Sequence, residues 1–236
     1  MLIIMNLLIG SSHSNRMTID NCEHFLCSAG SAKGLNNINS VSKYNEKIIK
    51  KTCEKNYKRF IFMFGSVDTD FSFIHKYLDN VNINYIDFNK EVIDNYLHFI
   101  KTHFKNKMVI ILSIGLPTLD DENLKIGLLN GHINYLEKCD ISSLKKKIEN
   151  IKLPDIYYRT IINMNFNSQL KENIEKLNNT NIHYLDITEF TFDNSTNRIK
   201  DTFFTKTDHH NFERNKTISK IINDYIQKCG NKYNFE

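Results

Sequence analysis

The 236-residue chain contains no tryptophan, two prolines and eight glycines. So few chain breakers leave little room for long flexible or Pro-rich linkers, and predict one folded unit over residues 1–236. Cysteine is also scarce. Cys22, Cys27, Cys53, Cys139 and Cys229 make an odd number with no regular framework, which suits a reducing compartment better than a disulfide scaffold. The Cys22/Cys27 spacing has no second pair with which to hold zinc. The apolar start, Met1 to Ile9, falls far short of the ~20 residues of a membrane span and has neither the basic leader nor the cleavage site of a signal peptide. The expectation is a cytoplasmic protein with no membrane segment. No Gly-x-Ser-x-Gly elbow is present, which argues against one common serine hydrolase architecture. Neither of the glycine-rich phosphate loops occurs, and no cofactor or metal is expected.

What is present is the composition of a globular protein, with 41% hydrophobic, 25% charged and 11% aromatic residues. A chain of this length buries roughly three quarters of its unfolded surface. The formal charge of +4 is spread over helical-looking stretches such as Lys50-Lys51 and Lys145-Lys146-Lys147, read as solvated faces, so no nucleic-acid partner is expected. Lys33, Arg16 and Arg159 are likewise read as surface cations. The abundance of Asn, Ile and Lys devalues chance matches such as the sequon at Asn194-Ser195-Thr196.

Apolar runs of strand length lie at Leu2–Ile9, Arg59–Phe64, Met108–Ile114 and Asn181–Leu185, with a weaker one at Glu23–Ser28. Runs apolar on both faces suit a parallel sheet covered by helices. Helix-like segments alternate with them, at Ser42–Lys55, Asp70–Leu78, Asn89–His103, Ser142–Ile151, Tyr158–Leu177 and Phe212–Lys228, while Leu119–Leu153 reads as a local helical insertion. The alternation predicts a three-layer, doubly wound α/β sheet of about five strands, flavodoxin-like, with its site in loops at the carboxyl ends of strands. Phe60, Phe62, Met63 and Phe64 are assigned to the core, and Asp186 to a turn.

Two loops carry chemistry. The first strand ends in Gly10-Ser11-Ser12-His13-Ser14, a turn that exposes hydroxyls beside backbone N–H groups able to stabilise an oxyanion; such a turn is also an ordinary helix cap. Near the far end, Thr207-Asp208-His209-His210-Asn211 precedes the last amphipathic helix and offers a base with an orienting carboxylate.

Together these two loops resemble the first and last blocks of the SGNH (GDSL-like) hydrolases. Ser28-Ala29-Gly30-Ser31-Ala32-Lys33-Gly34-Leu35, followed by Asn39-Ser40, resembles the second block, and Phe64-Gly65-Ser66-Val67-Asp68 the third. The resemblance spans nearly the whole chain, in order. It implies the SGNH fold, with Ser12 as nucleophile, His210 as base and Asp208 orienting it, and an oxyanion hole of the Ser12 and Gly30 amides. It also implies serine-dependent hydrolysis of an acyl ester, or O-acyl transfer, on a small-molecule or carbohydrate substrate. Three positions depart from the family pattern. Ser11 stands where an aspartate is usual, so Ser11 and Ser12 are both candidate nucleophiles, with alignment favouring Ser12. Val67 replaces the usual asparagine donor. Asp208 is two residues before His210 rather than three, with His209 in reserve. Two alternatives accompany it: a metal-dependent phosphoesterase using Asp68 and Asp70 with Asp208-His209-His210, resembling the DHH phosphoesterases, and a non-catalytic SGNH-like binding module.

Overall fold

The computed structural model describes residues 5–130, 140–203 and 216–231. Five strands form one parallel sheet: β1 (Asn6–Gly10), β2 (Cys22–Leu26), β3 (Arg59–Met63), β4 (Met108–Leu112) and β5 (Ile182–Leu185), in the order β2-β1-β3-β4-β5. Each strand pairs in parallel with its neighbours, Ile9 standing opposite both Phe25 and Phe62. This is the predicted three-layer, flavodoxin-like arrangement.

The strands form where they do because β1, β3 and β4 are apolar on both faces and the sheet is covered on both. Leu7, Ile9, Phe60, Phe62, Val109 and Ile111 face one core, while Leu8, Ile61, Met63, Ile110 and Leu112 face a second. The period of two that separates the sets is the pleat of a strand. On the first face lie α1 (Tyr44–Thr52), α2 (Phe73–Asp79), α3 (Tyr85–His103), α4 (Asp121–Asn130), α5 (Ile141–Asn150) and α6 (Ile156–Lys176). After the four-residue α7 (Thr188–Thr191) come a short antiparallel pair, β6 (Phe192–Asp193) and β7 (Arg198–Ile199), and α8 (Lys216–Asn231), whose Ile218, Ile222 and Ile226 cover the second face.

Polar residues fix where the long helices begin. The Asn84 side chain accepts the Ile86 N–H at the head of α3, and Asp155 accepts the Tyr158 N–H at the head of α6, each the satisfaction of an amide that the helix itself leaves without a partner. The insertion expected within 119–153 is α4 and α5. Arg159 overturns its assignment to the surface. It is 2% exposed, and its guanidinium donates to the carbonyls of Pro154 and Leu119 and to Asp121 Oδ1, which is why a cation is tolerated there. Asp186 is the expected turn residue, accepting the Thr188 N–H at 2.8 Å. Among the described residues, no helix is long and apolar enough to cross a membrane.

Candidate functional site

The chain leaves β1 toward β2 on one side and returns to β3 on the other, so the carboxyl ends of β1 and β3 flank the switch point of the sheet, where ligands bind in open α/β folds. The turn after β1 and the loop after β2 meet here. Ser11 donates its N–H to Met63 O at 3.1 Å, and Cys27 donates to Gly10 O at 2.8 Å, tying the β1 turn to the ends of β3 and β2.

A 3-10 turn follows over Ser12–Arg16. Ser11 is fully buried, whereas Ser12 is half-buried and its hydroxyl has no hydrogen-bond partner among the described residues. As the first residue of the turn, Ser12 also has an N–H that the turn does not use. Ser14 braces this geometry. Its N–H and hydroxyl both donate to Ser11 O, at 2.9 and 2.7 Å, and its Oγ lies 2.9 Å from His24 Nε2. With the single hydroxyl proton given to Ser11, His24 must be the donor in that contact, so the imidazole is protonated at Nε2. Burial lowers the His24 pKa and keeps the ring neutral. Gly10 is needed for close approach, since a Cβ there would stand 2.5 Å from Ser14 Oγ and 2.9 Å from Met63 O.

The second loop places Gly30 beside the third. A Cβ on Gly30 would lie 3.1 Å from Phe64 Cε1. The turn Cys27 to Gly30 carries Ala29 at φ +55°, and the Gly30 N–H donates to Cys27 O at 2.8 Å. In the third loop Gly65 adopts φ +124°, and a Cβ there would meet Phe166 Cζ at 2.6 Å. Val67 is 4% exposed and packs into the core. Asp68, 1% exposed, accepts the N–H groups of Ala32 and Lys33, at 2.6 and 3.2 Å. Its carboxyl is pushed up to about 7 by burial, against the pull of those two amides.

Asp70 follows on a π-helical turn, Asp68–Ser72, an irregularity often found at functional sites. It accepts from Asn163 Nδ2 at 3.1 Å and lies 3.9 Å from His13 Nε2. Burial raises its pKa to about 6, opposed by the Asn163 hydrogen bond and by Arg159. Asp68 and Asp70 thus serve different neighbours. Among the described residues, no group of three His, Cys, Asp or Glu side chains could hold a metal.

Ser11, Ser12, Gly30, Val67 and Asp68 therefore lie on three loops at one end of the sheet. Asp208, His209 and His210 lie outside the described residues. Sequence reasoning placed Ser14 in the turn without a role, passed over His24, and missed that Asp68 joins the second and third loops. An acidic residue whose backbone partners lie 36 positions away carries no local sequence signal.

No family model matches the chain, and no curated protein matches it. Among solved structures, a protein from Bacteroides fragilis described as an acylhydrolase superposes with a TM-score of 0.54 at 11% identity, over 95% of this chain and 86% of that one. One from Streptococcus pneumonia described as a platelet activating factor superposes with a TM-score of 0.55 at 12% identity, over 95% and 85%. At such identities the likeness is one of fold, and the fold is that of the SGNH (GDSL-like) hydrolases.

Proposed function

We propose that the protein is an acyl-ester hydrolase or O-acyltransferase with Ser12 as nucleophile. One observation carries the reading: at the switch point of the sheet, the adjacent serines differ, Ser11 being buried and Ser12 presenting a hydroxyl and an N–H that nothing else engages among the described residues. A nucleophile needs that combination, because the attacking oxygen must reach substrate and the developing oxyanion needs a donor near it. Solved structures that share the fold include one described as an acylhydrolase.

In the proposed reaction His210, oriented by Asp208, takes the Ser12 proton as Oγ attacks the ester carbonyl. The tetrahedral oxyanion receives the Ser12 N–H and the Gly30 N–H, the latter shared with Cys27 O in a three-centre bond of a kind common at turns. Collapse expels the alcohol, which takes the proton back from His210. Water, or the hydroxyl of an acceptor, then attacks the acyl-enzyme with the same base and restores Ser12. The substrate class that fits is a small or carbohydrate ester.

Hydrolysis of p-nitrophenyl esters, acetate through octanoate, tests the assignment with wild type, Ser11→Ala, Ser12→Ala and His210→Ala, each with and without EDTA. The expected result is turnover that survives Ser11→Ala and EDTA and falls at least 10³-fold in Ser12→Ala and His210→Ala. Turnover indifferent to Ser12→Ala sinks the reading, and turnover lost to EDTA moves the assignment to metal chemistry with Asp70 and the Asp208 cluster. The buried Val67 favours one second reading, a non-catalytic module of the same fold, which predicts no turnover by any variant.

A further inference from the structure

A cavity of about 660 Å³ opens between the loop 28–44 and helices α2 and α3. Its volume falls within the range of small-molecule sites, ~300 to 1,000 Å³. It is lined by Lys33 and Asn36 from the loop, Lys76, Glu91 and Asn95 from the helices, and Val67 from the third site loop. We propose that this cavity binds an acidic sugar, a hydroxylated ring bearing one negative group, as the alcohol side of the ester; that link to catalysis rests on the function proposed above, whereas the binding does not.

The loop wall is held in place, which an Asn- and Ser-rich surface loop ordinarily is not. Asp68 takes the amides of Ala32 and Lys33, Ser31 Oγ accepts the Gly34 N–H at 2.9 Å, and Tyr44 donates to Ser28 O at 2.9 Å. Across the cavity Lys33 Nζ donates to Glu91 Oε1 at 2.6 Å, and Asn36 Nδ2 donates to Asn95 Oδ1 at 3.0 Å. Asn95 Nδ2 in turn donates to Glu91 O at 2.8 Å. A wall fixed before the ligand arrives avoids the ordering entropy of binding.

The residual bonding capacity selects the ligand. After these bonds Asn36 keeps its carbonyl oxygen and one N–H, and Asn95 keeps one N–H, counted against the described residues. Donors and acceptors side by side suit vicinal hydroxyls, which both give and take. Charge does the rest. The Lys33 cation is met by Glu91. Lys76, exposed, stands 5.5 Å from the Phe88 ring centroid and forms no ion pair with a described residue, while its charge is felt by Glu91. Two lysines against Glu91 and the buried Asp68, whose carboxyl is raised to about 7, leave the wall net positive below that pH. Leu35, Val67 and Phe88 are almost wholly buried, and the exposed Val41 adds an apolar face to the wall beside the amides and hydroxyls, as the mixed surface of a sugar ring requires.

Calorimetric titration with glucuronate, glucose and octanoate tests this on wild type, Lys76→Gln and Asn95→Ala. The expected result is saturable binding of glucuronate, about fivefold or more tighter than glucose, the scale of one charge-assisted contact near a surface. Lys76→Gln should erase the preference for glucuronate over glucose. Asn95→Ala should weaken both sugars. Failure of either sugar to saturate, tighter binding of octanoate, or indifference to both substitutions overturns the proposal. A protein that hydrolyses esters yet binds no sugar refutes this site alone, and one that binds glucuronate but turns over no ester refutes only the function proposed above.

Discussion

The carboxylate of Asp68 receives the backbone N–H of Ala32 at 2.6 Å across 36 positions of sequence. Lys33 N–H reaches the other oxygen. One buried side chain therefore fixes the second site loop to the third, and through it the turn that carries Gly30. In Asp68→Ala two amides lose their acceptor, and unsatisfied buried polar groups cost about 1 to 3 kcal/mol each. The expected loss of stability is about 2 to 4 kcal/mol, read from chemical denaturation, with ester turnover falling further than the loss of folded protein explains.

The same carboxyl contributes a pH dependence of stability opposite in sign to that of an ion-paired carboxylate such as Glu23. Burial raises Asp68 from 3.8 to about 7 and Asp70 from 3.8 to about 6. Between pH 4 and 7 the folded chain therefore holds protons that the unfolded chain has released, so these two groups make stability fall as pH rises and leave it highest below pH 4. For Asp68 alone three pH units correspond to about 4 kcal/mol. Asp68→Asn, an uncharged isostere, should flatten this part of the profile. Denaturation midpoints at pH 5 and pH 8 check it, and an unchanged slope in Asp68→Asn would assign the dependence to other groups.

Much of the fold was legible because its strongest signal is redundant. β1, β3 and β4 are buried on both faces, so each carries an apolar run of strand length, and the helix-like segments between them made strands the consistent reading. β2 was the faintest because it is the sheet edge, half-exposed along its length. The start of α3 was placed four residues late, at Asn89, because the early turn mixes polar and apolar residues and the true signal is the Asn84 cap. Arg159 was misread for a physical reason: its acceptors are mostly carbonyl oxygens, and carbonyls are the same at every position. The site loops were recognisable by order and by their place after strands, whereas the contacts that hold them run through backbone groups that no motif encodes.

Arg159 itself makes a sharp stability test. Its removal strands the buried carbonyls of Leu119 and Pro154 and leaves Asp121 without its cation, while the cavity left by the long side chain adds to the loss. Arg159→Ala is expected to lower stability by about 3 to 5 kcal/mol. Arg159→Lys should recover little, because a single ammonium cannot reproduce a planar fork with three acceptors. Parallel thermal scans of both variants decide it, and a Lys variant as stable as wild type would mean that charge alone matters there.

Gly10 and Gly65 separate packing from positioning. At Gly65 a Cβ would strike the Phe166 ring at 2.6 Å from a backbone at φ +124°, so Gly65→Ala should destabilise by about 3 kcal/mol or more. At Gly10 the clash falls on Ser14 and on Met63 O, the two groups that hold the Ser12 turn. Gly10→Ala is expected to lower kcat more than stability, because a displacement of under 1 Å is enough to spoil attack geometry. Comparing kcat with the unfolding midpoint for the two variants should give opposite orders of severity.

Val67 stands where the resemblance to the SGNH hydrolases places an asparagine, and a valine side chain can give an oxyanion no hydrogen bond. Loss of one such donor lowers rates by about 10²- to 10³-fold in a comparable site. Val67 also borders the cavity beside the site, which gives an asparagine amide there a polar face to turn to. If Ser12 and Gly30 supply the existing donors, Val67→Asn should raise kcat on p-nitrophenyl acetate by about tenfold or more. KM should change little, because the new bond strengthens only as negative charge develops on the carbonyl oxygen. A fall in KM at unchanged kcat would mean that the amide binds substrate and transition state alike, and a loss of activity with intact folding would place the oxyanion away from the third loop altogether.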